Sequence, residues 1–352
     1  MFIFVLPVSG GGFVNQLAIL SQLTVAGFTP TITLSSSGGN VSAYIASAAK
    51  WKWNEIERIS KTISQDFFIS PRCSVEYISF LFGFFEGNLY AKGNGTKEFL
   101  ENFFDSSTIT KDEIWTGTYN KCTQKARLFC NRRKEDSILN TECIDTDLIQ
   151  CMTSVYCNGD IESIAQTAVA SFSIPGYVPA ETIDTYQYVD GGVAGASPLT
   201  ILRQPLLSYA EENSEKVHII YINSVNLSQP DRRDIRNVVD TWRQATSDLV
   251  RTQTVIDRLS AYELLLCNGR DVEKREFSCN YQNLLNIKEA QKVIHASLLE
   301  IYPTSSNEIN ITHFNGEDVV EHIHRMSGKL FCRFWWIKSV DHDATKLIYA
   351  CE

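Results

Sequence analysis

No aspartate or glutamate occurs before Glu55, and the only charged side chains in that stretch are Lys50 and Lys52. A segment so free of charge is usually covered on both faces, as the strands of a parallel sheet are when helices pack on either side. The order within it agrees. Residues 2–8 form an apolar run of strand length, and Ser9-Gly10-Gly11-Gly12 breaks it as a tight turn. Leu17, Leu20, Leu23 and Ala26 recur at near-helical spacing over residues 15–26, and Gly27 suits a C-terminal cap. A β-branched run at 31–34 predicts a second strand. Residues 35–40 then turn into a second helix over 41–49. Strand, turn, helix, strand, turn, helix is the opening of an α/β fold.

Further along, residues 115–119 and 126–130 read as two strands around a polar turn, and residues 161–171 as a helix. Ser173-Ile174-Pro175-Gly176 ends that helix. A strand at 186–189 leads into Asp190-Gly191-Gly192, and residues 216–223 read as another buried strand. Beyond it, Ile235, Val238, Trp242, Ala245, Leu249, Ile256 and Leu259 mark one face of a long helix or helix pair. A strand at 309–312 and a helix at 317–326 follow. The simplest division is a catalytic domain over 1–225 and a helical C-terminal extension over 226–352 packed on it. Two aromatic runs carry two readings. Phe80-Leu81-Phe82-Gly83-Phe84-Phe85, with Phe67-Phe68-Ile69 before it, and residues 331–337 with Trp335 and Trp336 are either lipid-facing patches or core.

The chain of 352 residues has a formal net charge of −9, which on average repels nucleic acid and anionic surfaces. Its densest basic run, Arg132-Arg133-Lys134, is followed at once by Glu135 and Asp136 and reads as a solvated loop. No nucleic-acid partner is expected. No apolar run approaches the roughly 18 residues of a spanning helix. Residues 1–6 are apolar but end at Pro7 with no basic residue before them, unlike a signal peptide. A cytoplasmic protein that meets membranes only peripherally is the expectation. The 10 cysteines include no C-x-x-C pair, so no zinc site is indicated. Free thiols are the default without secretion, with a few disulfides as the alternative if the source is unusual.

Three glycine-rich turns carry chemistry. Gly10-Gly11-Gly12, between a strand and a helix, can aim several backbone N–H groups at one point, with the helix's positive end behind them. A dinucleotide fingerprint is excluded, since its third glycine position holds Asn15 and no acid lies about 20 residues on. Ser35-Ser36-Ser37-Gly38-Gly39 sits on a strand-to-helix turn in the G-x-S-x-G pattern of a nucleophile elbow, with Ser35 in the first glycine place. Asp190-Gly191-Gly192 puts a carboxylate at the C-terminal end of a strand, where α/β sheets keep their sites.

Together these segments resemble the patatin-like phospholipase family. Gly10-Gly11-Gly12 corresponds to its oxyanion turn, Ser37 to its elbow serine and Asp190-Gly191-Gly192 to its D-G-G/A aspartate. Ala170-Ser171, Ile174-Pro175-Gly176, Pro179, Tyr188, Val189, Val193 and Ser197-Pro198 are similar to the run around that aspartate. The resemblance covers residues 2–223, and more faintly 310–326. Three positions depart from it. Val14 stands where the family usually has Arg or Lys, Asn15 replaces the motif's last glycine, and Ser35 replaces the elbow's first.

The resemblance implies a three-layer α/β/α fold with a mainly parallel central sheet and a helical C-terminal layer. It also implies a serine lipid acyl hydrolase that needs no metal or cofactor and takes glycerolipid or phospholipid esters. Ser37 would attack and Asp190 would take its proton. None of the six histidines lies in the three motifs. The N–H groups of Gly10, Gly11, Gly12 and Gly38 would hold the oxyanion. Burial should lift the Asp190 pKa, since a carboxylate near 4 is a poor base at neutrality. Two alternatives stay open: a catalytically impaired lipid-binding protein on the same scaffold, and a transacylase.

Overall fold

The computed structural model describes residues 1–71, 88–104, 112–140, 152–156, 160–194, 197–225, 238–267, 272–305 and 308–337. The uncharged opening folds as its pattern predicts. Strand β1 (Phe2–Leu6) leads through a 3-10 turn at Gly10–Gly12 into helix α1 (Phe13–Val25). Strand β2 (Ile32–Ser36) leads into α2 (Gly38–Ala48), and α3 (Trp53–Ser60) follows. Then come the short strands β3 (Ile69–Ser70) and β4 (Ala91–Lys92), and α4 (Gly95–Phe103). β5 (Glu113–Asn120) and β6 (Lys125–Cys130) form a hairpin, with β7 (Met152–Tyr156) and α5 (Ile161–Ser171) after it. β8 (Glu181–Ile183), β9 (Tyr186–Asp190), α6 (Pro198–Glu212) and β10 (Val217–Ile222) complete the first two thirds.

The main sheet runs β7, β6, β5, β2, β1, β10 and onward. Its centre is parallel: β1 lies between β2 and β10, and β5 is parallel to β2. Period-two alternation assigns the faces of β1. Phe4 and Leu6 join one core with Leu17, Leu20 and Ile45 from α1 and α2, whereas Ile3 and Val5 join the other with Leu199 and Leu202 from α6. Both faces are therefore dry, which explains why this segment carries no acid. Each such side chain contributes about 1.5–3 kcal/mol when fully buried. Helices on both faces of a mostly parallel sheet make the three-layer α/β/α sandwich.

The C-terminal part holds the expected long helix, α7 (Val238–Cys267), but it is not purely helical. Strand β11 (Val272–Ser278), helix α8 (Tyr281–Gln291), strand β12 (Ala296–Pro303), helix α9 (Gly316–Met326) and strand β13 (Leu330–Ile337) follow. β12 pairs parallel with β10, so the same sheet continues through β13 to β11. The run at 331–337 is thus core: Trp335 and Trp336 are buried in β13. Phe67, Phe68 and Ile69 are buried too, while the aromatic run at 80–85 lies outside the described residues.

Two expectations are corrected. Residues 309–312 form a turn, because the Asn310 side chain accepts from the Thr312 N–H and hydroxyl and competes with a strand ladder. Cys279 and Cys332 form a disulfide, with Cα atoms 5.3 Å apart. The β11–β13 register, which sets Phe277 opposite Cys332, brings them together; sequence spacing carries no trace of it. The basic run at 132–134 is solvated only in part: Arg133 pairs with Glu135 and Asp136 on the surface, whereas the Arg132 side chain is 12% exposed and lies 3.7 Å from the buried Glu113 carboxylate. Among the described residues, no helix is long and apolar enough to cross a membrane.

Candidate active site

Ser37 follows the last residue of β2 and caps α2 at φ 54° and ψ −132°. A non-glycine residue held there costs of order 1–3 kcal/mol, and such strain gathers where a side chain must be presented sharply. The two glycines after it are set by close packing. A Cβ on Gly38 would lie 2.5 Å from Ser9 Oγ and 2.6 Å from the Gly10 carbonyl oxygen. A Cβ on Gly39 would lie 2.6 Å from the Pro7 carbonyl oxygen and closer still to that of Leu6. The elbow thus crosses directly over the opening turn. Since backbone atoms cannot step aside, Gly39→Ala is expected to cost about 3 kcal/mol of stability, which a denaturant titration would read.

Sheet register explains how the aspartate arrives. β2 runs parallel to β5 and ends with Ser36 opposite Gly117. β9 runs antiparallel to β5 on the same side and ends with Asp190 opposite Thr118. The two strands therefore meet head to head along one edge of β5, and the residues at their tips adjoin. Ser37 Oγ donates to Asp190 Oδ2 at 2.5 Å. Gly192 N–H donates to Asp190 Oδ1 at 2.7 Å and fixes the carboxylate plane. Gly191 is needed because a Cβ there would lie 2.5 Å from the Gly117 carbonyl oxygen.

Both side chains are buried, Ser37 at 1% and Asp190 at 2% exposure. Burial pushes the Asp190 pKa up to about 7, against the pull of its hydrogen bonds from Ser37 and Gly192. The direction agrees with the shift expected from burial. A carboxyl group with a pKa there can accept and return a proton near neutrality.

The opening turn needs one correction. Gly12 N–H, expected among the oxyanion donors, donates to Ser9 O at 2.8 Å and closes the turn. Gly10 takes φ 50°, a conformation glycine adopts without steric cost. Gly38 is the first residue of α2, where helix geometry leaves its N–H without an intrahelical acceptor.

The three departures are accommodated. Val14 is fully buried in the core. Ser35 Oγ lies 3.2 Å from Asn40 Oδ1 and 3.3 Å from Trp115 O. Asn15 Nδ2 donates to Ser224 O at 2.7 Å. Sequence reasoning missed Ser171, whose Oγ accepts the Ser37 N–H at 2.9 Å and donates to Gly117 O at 2.9 Å. It stands in the Ala170-Ser171 segment that carried the resemblance, but nothing local marks its partner.

The site thus places a strained serine at the end of the parallel strand β2 against a buried carboxylate at the end of the antiparallel strand β9. The sequence profile described as patatin-like phospholipase matches residues 8–203, more than half of the chain. The chain belongs to the patatin-like phospholipase family, and so to the lipid acyl hydrolases in general. Among solved structures it is similar to VipD from Legionella pneumophila, at 10% sequence identity and a TM-score of 0.36, over 99% of this chain and 67% of that one. No curated protein matches it.

Proposed function

We propose that the protein hydrolyses fatty-acid esters of glycerolipids and phospholipids through Ser37 and Asp190. The observation that carries this reading is the 2.5 Å contact between Ser37 Oγ and the buried Asp190 carboxylate. Asp190 Oδ2 takes the hydroxyl proton as Oγ attacks the ester carbonyl. The tetrahedral oxyanion forms beside the opening turn, where the N–H groups of Gly11 and Gly38 receive it, each donor contributing about 3–4 kcal/mol. Asp190 then returns its proton to the departing alcohol or lysolipid, leaving an acyl ester on Ser37. In the second half, Asp190 takes a proton from water as the water oxygen attacks the acyl carbonyl; the C–Oγ bond then breaks, Asp190 returns that proton to Ser37 Oγ, and the fatty acid leaves.

In this reading residues 1–225 supply the chemistry and the remainder braces it. The substrate is met at a lipid surface, with the protein peripheral to it. Release of fatty acid from phospholipid vesicles by the purified protein tests the proposal. Its kcat/KM is expected to climb as pH rises and to level off above about 7, because only the ionised Asp190 can act as base. A rate flat from pH 5 to 9 would remove Asp190 as the base. Labelling of Ser37 by a fluorophosphonate without hydrolysis, but with acyl transfer to an added alcohol, would make the protein a transacylase. No labelling at all would leave only a lipid-binding scaffold.

A further inference from the structure

Asn15 lies in the first turn of α1, just past the opening turn, and its amide is held from both sides. Nδ2 donates to the Ser224 carbonyl at 2.7 Å, and Oδ1 lies 2.7 Å from His322 Nε2 on α9. Arg325 Nη2 lies 2.8 Å from His322 Nδ1. A guanidinium can only donate, so Nδ1 accepts and the ring's hydrogen sits on Nε2. Burial, with the Arg325 charge beside it, lowers the His322 pKa to about 4, which keeps the ring neutral. Nε2–H therefore donates to Asn15 Oδ1, and this leaves Nδ2 facing Ser224.

Ser224 in turn backs the opening turn, since a Cβ on Gly12 would meet Ser224 Cβ at 3.0 Å. The C-terminal part touches that turn a second time. Ile309 N–H donates to Gly11 O at 3.3 Å, and a Cβ on Gly11 would collide with the Ile309 carbonyl oxygen. Ser224, Ile309, His322 and Arg325 all lie beyond the residues 8–203 matched by the family profile.

We infer that Asn15, His322 and Arg325 are positioning residues, a directional hydrogen-bond relay that holds the Gly10–Gly12 turn at its angle to Ser37. The side chain at the motif's departed glycine position is the point through which the C-terminal part steadies the oxyanion site. The kinetic half of this inference rests on Ser37 acting as the nucleophile; the structural half does not.

The test uses the full chain with His322→Leu, Asn15→Ala, the double variant and His322→Gln. Glutamine is the rescue because its Nε2 reaches about as far as the imidazole Nε2 and donates likewise. In His322→Leu and Asn15→Ala, kcat on phospholipid vesicles is expected to fall about 30-fold with KM changed less than about twofold, as for a misplaced oxyanion donor. The double variant should be no worse than either single one, and His322→Gln should recover most of the loss. Amide exchange at Gly11 and Gly12 should quicken about tenfold in His322→Leu and return in His322→Gln. Exchange reads the turn whether or not lipid is cleaved. Absent cleavage by the wild type would therefore defeat the proposed function, while exchange still decides the relay. Unchanged exchange at the turn, or equal quickening throughout α1 and α9, overturns the relay, as does no recovery in His322→Gln. Should His322→Leu fail to fold, Asn15→Ala carries the same readouts.

Discussion

Ser37→Ala and Asp190→Asn each lower fatty-acid release by about three to four orders of magnitude, and combining them lowers it little further. The physical reason is that neither group works alone. A serine hydroxyl is a weak nucleophile until its proton has somewhere to go, and in the proposed mechanism Asp190 Oδ2, 2.5 Å away, is the acceptor. Asparagine keeps the shape and still bonds to Ser37, but it cannot take a proton. Residual rate would come from the backbone amides of the opening turn and from substrate binding. Initial rates on phospholipid vesicles, with circular dichroism to check the fold, measure the effect. Variants within tenfold of wild type would dismiss the pair.

Asp190→Asn should also make the protein more stable, and only on the alkaline side. The folded chain holds this carboxyl in a fully buried site with its pKa raised from 3.8 to about 7. The folded state therefore binds its proton more tightly than the unfolded chain does, and stability falls as pH rises between those two values. Above about 7 the full penalty is present, about 4 kcal/mol at 1.36 kcal/mol per pKa unit. Asparagine does not titrate and keeps the contacts to Gly192 N–H and Ser37 Oγ. The variant's advantage should thus approach that figure at pH 8 and fade at pH 4. Denaturant titrations at the two pH values read it. Equal stability of the two proteins at pH 8 would mean the site is wetter than its 2% exposure indicates. The same burial would raise the base into working range and strain the fold, the usual trade between activity and stability.

The sheet's beginning was legible for a local reason. An absent acid up to Glu55, a period-two run in β1 and glycines between elements are properties of neighbouring residues, and they report backbone preference and two-sided burial directly. The turns at Gly10, Ser37 and Asp190 were legible likewise. β12 was not read because Glu300 interrupts its apolar run; the structure buries that acid at 0% exposure between Asn223 and Arg333. Ser171 and His322 escaped because a single polar residue on a helix looks the same whether it faces solvent or a partner far along the chain.

By itself, then, the sequence determined which backbone turns sharply, which strands are dry on both faces and which side chains stand at strand ends. Tertiary structure alone decided that the tips of β2 and β9 meet along β5, joining residues 153 positions apart. It alone joined Cys279 to Cys332 and set α9 against the first turn of α1. Local preference is written within a few residues. Encounters across the chain follow from strand register and layer packing, to which many distant side chains contribute and which no short pattern records.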